Sequence, residues 1–314
     1  MTPRGMLCTS NGSTILLDPK TASDGINFVS HAHIDHLPSS GGGTLLASKY
    51  TARLASHRGR DFGNHTEDIK DCTLYDTGHI FGSRGILFGD TFYTGDICTR
   101  DRGFLQGARI PKCKTLITEC TFGLPEFVFP PIHQIRLQVD ELISTMYSRG
   151  IPVVLMGYEL GKAQTISQMF SHWEPLYYHD SVKVINDMHR EWNVPLKPAL
   201  GHTEAQRQGL LDKKPWVMIA PKMSAKSPFI LKMKKYGAIT VSFSGWANSN
   251  RFPYTNGSDY SIQLSDHCDF NELTEMVEAS GAENIYTIHG FVSEFADHLK
   301  NLGFNAKPLM VMTS

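Results

Sequence analysis

Long apolar runs are missing from this chain: no stretch approaches the roughly 20 residues that a bilayer-spanning helix needs. The N-terminus, MTPRGMLCTSNG, carries none of the apolar core of a secretory signal. Cysteine is sparse and irregular, at 8, 72, 98, 113, 120 and 268 with no Cys-x-x-Cys pair, which argues against a disulfide framework or a cysteine-rich zinc site. These absences lead us to expect a reduced, cytoplasmic protein with no membrane partner. A surplus of one charge is lacking as well, since the net charge is −1, so the whole chain gives no hint of a polyanion partner. Only the middle is tilted: residues 124–260 hold 15 Lys and Arg against 11 Asp and Glu. No repeat or low-complexity linker interrupts the 314 residues, a length that suits one domain carrying an insertion.

Short β-rich runs separated by Gly, Asn and Asp come first, at 14–18, 26–30, 44–48, 86–90 and 115–119. A helical period follows from Ile132, with Ile135, Val139, Leu142, Ile143 and Met146 on one face, and Gly150 and Pro152 stop it. Strands and helices then alternate: IPVVLM, a helix over 161–173, LYYH, a helix over 181–192, WVMIAP, a helix over 227–236 and AITVSFS. That alternation implies a parallel α/β layer in the middle third. A helix over 270–280, a strand at 284–290, a helix near 293–302 and a strand over 306–312 close the chain.

The segment Ser30-His31-Ala32-His33-Ile34-Asp35-His36 puts three imidazoles and a carboxylate just after a β-run. Imidazole and carboxylate suit zinc and similar divalent ions, and so many ligands are costly to bury without one. Six residues cannot complete two coordination spheres. Further ligands are offered by His79, between glycines, Asp96, at a strand end, and His289, just past an apolar strand. Each alone reads as a turn or a surface residue; together they supply what the first motif lacks. Asp18, closing TILLD, reads either as a carboxylate orienting a ligand or as a turn residue before Pro19. The thiols of Cys98, Cys120 and Cys268 are expected to pack rather than ligate.

His-x-His-x-Asp-His followed by a distant His, Asp and His resembles the metallo-β-lactamase superfamily. The resemblance implies an αββα sandwich with two divalent metals, zinc first and manganese as a substitute in vitro. One metal would take His31, His33 and His79, the other Asp35, His36 and His289, with Asp96 bridging. Thr118-Glu119-Cys120-Thr121-Phe122-Gly123 and Leu264-Ser265-Asp266-His267-Cys268-Asp269 resemble two motifs of the β-CASP nucleases, whose acidic residue and His bracket an inserted α/β domain. The implied division is 1–123 and 261–314 for the metallo-β-lactamase domain and 124–260 for the β-CASP insert. Glu-x-Thr-Phe-Gly-Leu-Pro, Gly-Lys-Ala-Gln, Ser-Gly-Trp and Leu-Ser-Asp-His together look most like the DNA-ligase-associated exonuclease group.

The function implied is phosphodiester hydrolysis of a nucleic acid. His267 is the expected general acid and Glu119 its orienting partner, with Asp35 a ligand that also takes part in catalysis. Gly161, Lys162, Ser242, Ser244 and Gly245 are expected to hold phosphate, and Trp246 either stacks on a base or belongs to the core. The resemblance points to a single-stranded DNA exonuclease of repair type, 5′→3′, associated with repair proteins such as a ligase. The alternatives are an RNA-processing β-CASP ribonuclease, a small-molecule hydrolase such as a thioesterase, lactonase or β-lactamase, and a catalytically dead binding subunit. The small-molecule reading has no need of Glu119, His267 or an insert.

Overall fold

A computed structural model describes residues 5–309 except 11, 41, 62, 64 and 248–256. The chain forms two compact units. One comprises 1–101, 106–128 and 267–314; the other comprises 102–105 and 129–266.

The first unit contains two sheets. Five strands run in the order Met6–Ser10, Ser13–Leu17, Ile26–Phe28, Thr44–Leu46 and His65–Thr66. Six run in the order Ala306–Pro308, Asn284–Gly290, Thr115–Cys120, Thr91–Tyr93, Arg84–Phe88 and Cys72–Asp76. Ile15, Leu17, Phe28 and Leu46 of the smaller sheet pack with Ile86, Phe88, Tyr93, Ile117 and Ile288 of the larger, so the sheets lie face to face. Their outer faces are covered by helices. Ala55 of helix Lys49–His57 packs with Val29 and Leu45. Leu273, Met276 and Val277 of helix Phe270–Ser280, with Phe295, Ala296 and Leu299 of helix Val292–Asn301, pack with Phe92, Leu116 and Ile285. Burial of each such side chain stabilises by about 1.5–3 kcal/mol. Helix Phe270–Ser280 starts on a capping box, Asp269 with Glu272, and stops at Gly281 in the left-handed region.

The second unit is built on six parallel strands in the order Leu200–Gly201, Leu176–Tyr178, Val217–Pro221, Val153–Gly157, Ile239–Phe243 and Tyr260–Ile262. Alternate residues of the central strands go to opposite faces. Val153, Leu155, Val217, Ile219 and Val241 meet Ile135, Val139, Ile143, Ile166 and Val182, whereas Val154, Met156, Met218 and Ala220 meet Leu211, Trp216, Ile230 and Met233. A sheet buried on both faces has no polar side, which is why VVLM and WVMIA read as continuous apolar runs.

Several elements differ from the sequence expectation. Helix Lys49–His57 and the strands Met6–Ser10, Cys72–Asp76 and His65–Thr66 carry no clear periodicity of their own. The run at 26–30 stops as a strand at Phe28 because Val29 and Ser30 already turn toward the histidine cluster. The last strand covers Ala306–Pro308, and 310–312 of the expected run lie outside the described residues. The units divide at 128/129 and 266/267 where the sequence suggests 123/124 and 260/261. Tyr260–Ile262 pairs in parallel with Ile239–Phe243, which draws the boundary past 260.

Candidate metal centre

Strand directions bring the scattered candidate residues together. In the six-stranded sheet, the strands leading to His79, Asp96 and Glu119 and the strand carrying His289 all run the same way, so these residues reach one end of the sheet. His289 stands at a break in register: Ile288 pairs with Glu119 and Gly290 with Cys120, leaving His289 as the extra residue, at φ 51°. From the smaller sheet come Asp18, also at positive φ (37°), and the turn beginning at Ser30. Gly95, at φ 56°, lets the two segments meet, since a Cβ there would lie 2.6 Å from Ser30 Cβ. Strained backbone at Asp18 and His289 marks a built site.

His31, His33, His79 and Asp96 offer ligand atoms within 4.8 Å of one another. His33 Nδ1 lies 3.1 Å from His31 Nε2 and 3.2 Å from His79 Nε2. Asp96 Oδ2 is 3.5 Å from both His31 Nε2 and His36 Nε2 and 3.6 Å from His79 Nε2. Proton placement follows from the neighbours. Ser30 Oγ has one hydrogen and gives it to Asp18 Oδ2 at 2.6 Å, so His31 Nδ1 donates to Ser30 Oγ at 2.9 Å. Burial, reinforced by His36, His79 and His33, holds His31 well below the usual imidazole range. His31 Nε2 therefore presents a lone pair to the Asp96 carboxylate. Two acceptors buried against each other favour a proton or a cation between them.

A tetrahedral ion with metal–nitrogen bonds of about 2.0–2.1 Å has ligand atoms about 3.4 Å apart, and the four-residue group fits that spacing. Burial pushes the Asp96 carboxyl up although His36 and His267 pull it down, so it keeps its charge best with a cation alongside. On His36, burial opposes charge, yet Asp96, Asp18 and Asp35 outweigh it and raise the imidazole to about 10. A site that draws protons this strongly also draws a dication. The second expected trio is more open: Asp35, 81% exposed at its side chain, is 3.8 Å from His36 Nε2, and the exposed His289 has its ring 5.7 Å from that of His36.

Asp18 accepts four bonds: Ser30 N at 2.7 Å, Ser30 Oγ at 2.6 Å, His36 Nδ1 at 2.9 Å and Tyr93 Oη at 2.7 Å. Burial would raise its carboxyl, but His36 and Ser30 hold it below the usual range. Ser30 entered the sequence reading only as the start of the His-rich segment, and Tyr93 was not singled out.

Glu119 and His267 meet as expected from the sequence. His267 Nδ1 donates to Glu119 Oε1 at 2.7 Å, and the His267 ring lies 4.6 Å from that of His79. Glu119 is 1% exposed. Burial would raise its carboxyl, but His267, Thr121 and the Ile97 N–H hold it below the usual range. Asp96, Glu119 and His267 again place ligand atoms within 4.8 Å of one another. A residue that sequence reasoning missed, Arg100, donates to the His267 carbonyl at 2.7 Å and grips Glu272 of the following helix. Cys120 Sγ donates to the Ile288 and His289 carbonyls, and Cys268 Sγ lies 3.6 Å from Thr99 Oγ1, so both thiols serve packing.

In the second unit the residues expected to hold phosphate are engaged internally. Lys162 is 3% exposed, and its Nζ bonds Asp266 Oδ2 at 2.6 Å, whose Oδ1 takes Arg102 at 2.7 Å. The Gly161 N–H donates to Gln164 Oε1 at 2.7 Å. Ser242 Oγ is 3.5 Å from Ser261 Oγ, Ser244 Oγ accepts the Trp246 N–H at 3.3 Å, and the Gly245 carbonyl accepts Gln263 Nε2 at 3.5 Å. Trp246 is half-buried. A direct phosphate contact from Lys162 would require Asp266 to release it.

Residues 260–308 match the family described as Zn-dependent metallo-hydrolase RNA specificity domain. The chain is similar to a probable DNA ligase of Opitutus terrae, 31% identical over 296 residues that cover 89% of this chain and 28% of that protein. It is also similar to transcription termination factor FttA of Methanocaldococcus jannaschii, 25% identical over 186 residues covering 44% of this chain and 29% of that one. The chain thus spans less than a third of the length of these curated relatives. A crystal structure of a protein of unknown function from Enterococcus faecalis shares the fold, with a TM-score of 0.59 and 12% identity over 91% of this chain and 79% of that one. The matched C-terminal region carries His267 and His289, the relatives extend the likeness over most of the rest, and together these likenesses support a zinc-dependent metallo-hydrolase of the β-CASP, metallo-β-lactamase kind.

Proposed function

We propose that this chain is a two-metal phosphodiesterase that shortens single-stranded DNA from an end, 5′→3′, in repair. The observation that carries the phosphodiesterase reading is the Glu119–His267 bond of 2.7 Å beside the four-ligand group. A thioester expels a thiolate that needs little protonation; a nucleotide alkoxide needs a proton donor. With Nδ1 committed to Glu119, His267 delivers that proton from Nε2, and the buried Glu119 carboxylate holds the imidazole charged and oriented. His31, His33, His79 and Asp96 would hold one ion, and Asp35, His36 and His289 a second that shares Asp96. Such ions supply Lewis acidity, drawing charge from a phosphoryl oxygen and acidifying water. Asp18 fixes the His36 tautomer through its 2.9 Å bond and so keeps Nε2 directed at the site. Zinc suits the mixed imidazole and carboxylate set, and manganese is expected to substitute in vitro.

The likeness to a protein named as a DNA ligase supports DNA ends as substrate and a ligase as partner. Polarity and exonucleolytic action rest on the family resemblance alone. The RNA-specificity description of residues 260–308 supports a second reading, an RNA-processing exonuclease or endonuclease. End-labelled DNA and RNA strands of matched sequence, with 5′-phosphate or 5′-hydroxyl ends, separate the two. Progressive loss of DNA from the 5′ end, blocked by chelator, is the expected result. A strong RNA preference or a single internal cut overturns the repair reading, and ester turnover without phosphodiester turnover overturns the nuclease reading.

A further inference from the structure

Away from the histidine cluster, the second unit gathers cations around an exposed aromatic ring. Strand Val153–Gly157 ends on a glycine that Lys162 packs against: a Cβ on Gly157 would stand 2.9 Å from Lys162 Cγ and 3.1 Å from Lys162 Cβ. The Gly157 carbonyl also accepts the Lys222 N–H at 2.7 Å, just where the neighbouring strand Val217–Pro221 ends. Two lysines from separate segments are thereby brought to the next residue, Tyr158. Their Nζ atoms lie 5.4 Å (Lys162) and 6.0 Å (Lys222) from the Tyr158 ring centroid. The Tyr158 carbonyl accepts the Ala163 N–H at 2.9 Å, which fixes its backbone to the following helix.

The side chains are graded outward. Lys162 is buried, Lys222 is half-buried, and Tyr158 is 46% exposed. Large apolar or aromatic side chains on a surface need no explanation singly, but a pinned tyrosine with two ammonium groups over its ring is a cation–π assembly held open to solvent. Lys162 is neutralised by Asp266 at 2.6 Å. Burial, with Lys162 nearby, lowers the Lys222 ammonium to about 8. The ring and lysines stand at the carboxyl ends of parallel strands, the edge where α/β sheets bind ligands.

We propose that Tyr158, backed by Lys162 and Lys222, is a nucleotide subsite in which a nucleobase stacks on the exposed part of the ring and the adjoining phosphodiester lies toward Lys222. The proposal rests on the nucleic-acid reading of the chain and adds a contact that reading does not contain; the ring it assigns to stacking is Tyr158 rather than Trp246.

The test is equilibrium binding of the metal-loaded chain to a cleavage-resistant phosphorothioate oligodeoxythymidine, followed by fluorescence anisotropy. Tyr158→Ala is expected to raise Kd by roughly 5- to 150-fold, the worth of one stacked base. Tyr158→Phe should bind like the wild type, and Tyr158→Leu, which keeps apolar bulk without a π face, should bind like Tyr158→Ala. Lys222→Gln should lower the salt dependence of binding by about one phosphate contact. Tyr260→Ala, removing another exposed tyrosine of this unit at 41%, should leave binding unchanged. Tyr158→Leu binding as tightly as the wild type overturns the subsite and leaves the nuclease reading standing. A wild-type chain that does not bind the oligonucleotide at all overturns the nucleic-acid reading itself.

Discussion

Asp18→Asn tests whether the histidine cluster is organised for metal, because it removes one charge and almost no volume. The wild-type carboxylate receives one donor on Oδ1, the Ser30 N–H at 2.7 Å, and three on Oδ2, from Ser30 Oγ, His36 Nδ1 and Tyr93 Oη. Asparagine offers one acceptor oxygen and an NH2 group. Placed with its oxygen toward the three donors, it sets its NH2 against the Ser30 N–H; turned over, it faces three donors with another donor. Either way the negative charge behind His36 is lost, and His36 Nε2 becomes a poorer ligand. Removing such an outer carboxylate typically weakens metal binding by about 10- to 100-fold, equivalent to about 1.4–2.7 kcal/mol. The metal-free protein should lose about 1–3 kcal/mol from the donor left without an acceptor. Competition with a zinc-sensitive chelating dye gives the first quantity, and thermal melts with and without zinc give the second. Asp18→Gly is the control for backbone, since φ 37° is relaxed by glycine while the carboxylate is gone. Zinc affinity within about twofold of wild type for Asp18→Asn, or near-normal affinity for Asp18→Gly, would refute the orienting role and leave Asp18 a turn residue.

Three further outcomes are expected. His267→Ala should slow turnover by roughly two to four orders of magnitude with metal content unchanged, Glu119→Gln should do so more weakly, and a better leaving group should partly rescue both. Loss of metal from His267→Ala, read by elemental analysis, would make His267 a ligand instead. Because His36 is raised from the ordinary 6.5 to about 10, its contribution to the metal-free protein is present below pH 6.5 and lost as pH rises through about 10; melts across that window should fall for the metal-free protein and stay flat with zinc. Gly95→Ala should cost roughly 1–3 kcal/mol or more and reduce metal affinity, since its Cβ would meet Ser30 Cβ at 2.6 Å; an unchanged melt would show that the two segments can separate without harm.

How much was legible in the sequence depended on whether the signal was local. The turn from Ser30 to His36 announces itself because three imidazoles and an acid within one turn have few other uses. The parallel sheet of the second unit was legible for a similar reason: strands buried on both faces leave apolar runs such as VVLM with nothing to confuse them. The first unit's edge strands gave less. Cys72–Asp76 and Met6–Ser10 alternate partly exposed residues of mixed type, and helix Lys49–His57 buries only Thr51, Leu54 and Ala55. His79, Asp96 and His289 had weak local signals and were singled out only as what the first turn lacked; the fold brings His79 and Asp96 to His31 and His33. Lys162 shows the opposite failure. A lysine at a glycine-led helix start reads as a phosphate ligand, but Asp266, 104 residues away in sequence, occupies its ammonium in the fold. No local pattern reveals a partner at that separation.

Four residues that tie the histidine cluster to the Glu119–His267 pair lie on one short segment, Tyr93, Asp96, Ile97 and Arg100. Tyr93 donates to Asp18 at 2.7 Å, beneath His36. Three residues later Asp96 faces His31, His36 and His79 at 3.5–3.6 Å. The Ile97 N–H then donates to Glu119 Oε1 at 2.9 Å while its carbonyl accepts the Cys268 N–H at 2.8 Å. Arg100 finally holds the His267 carbonyl at 2.7 Å. Residues of this segment thus fix, in order, Asp18 behind His36, the carboxylate among the imidazoles, Glu119 and the backbone of His267. His267, held by the same segment that carries Asp96, cannot drift relative to it without breaking hydrogen bonds to its backbone, each worth about 0.5–1.5 kcal/mol net. General-acid catalysis needs that fixed distance more than it needs a particular pKa, because transfer requires hydrogen-bond reach to the leaving oxygen. If Asp96 is the shared ligand and His267 the acid, as proposed, separate loops would leave their spacing to two independent fluctuations; here one segment carries the first and holds the second.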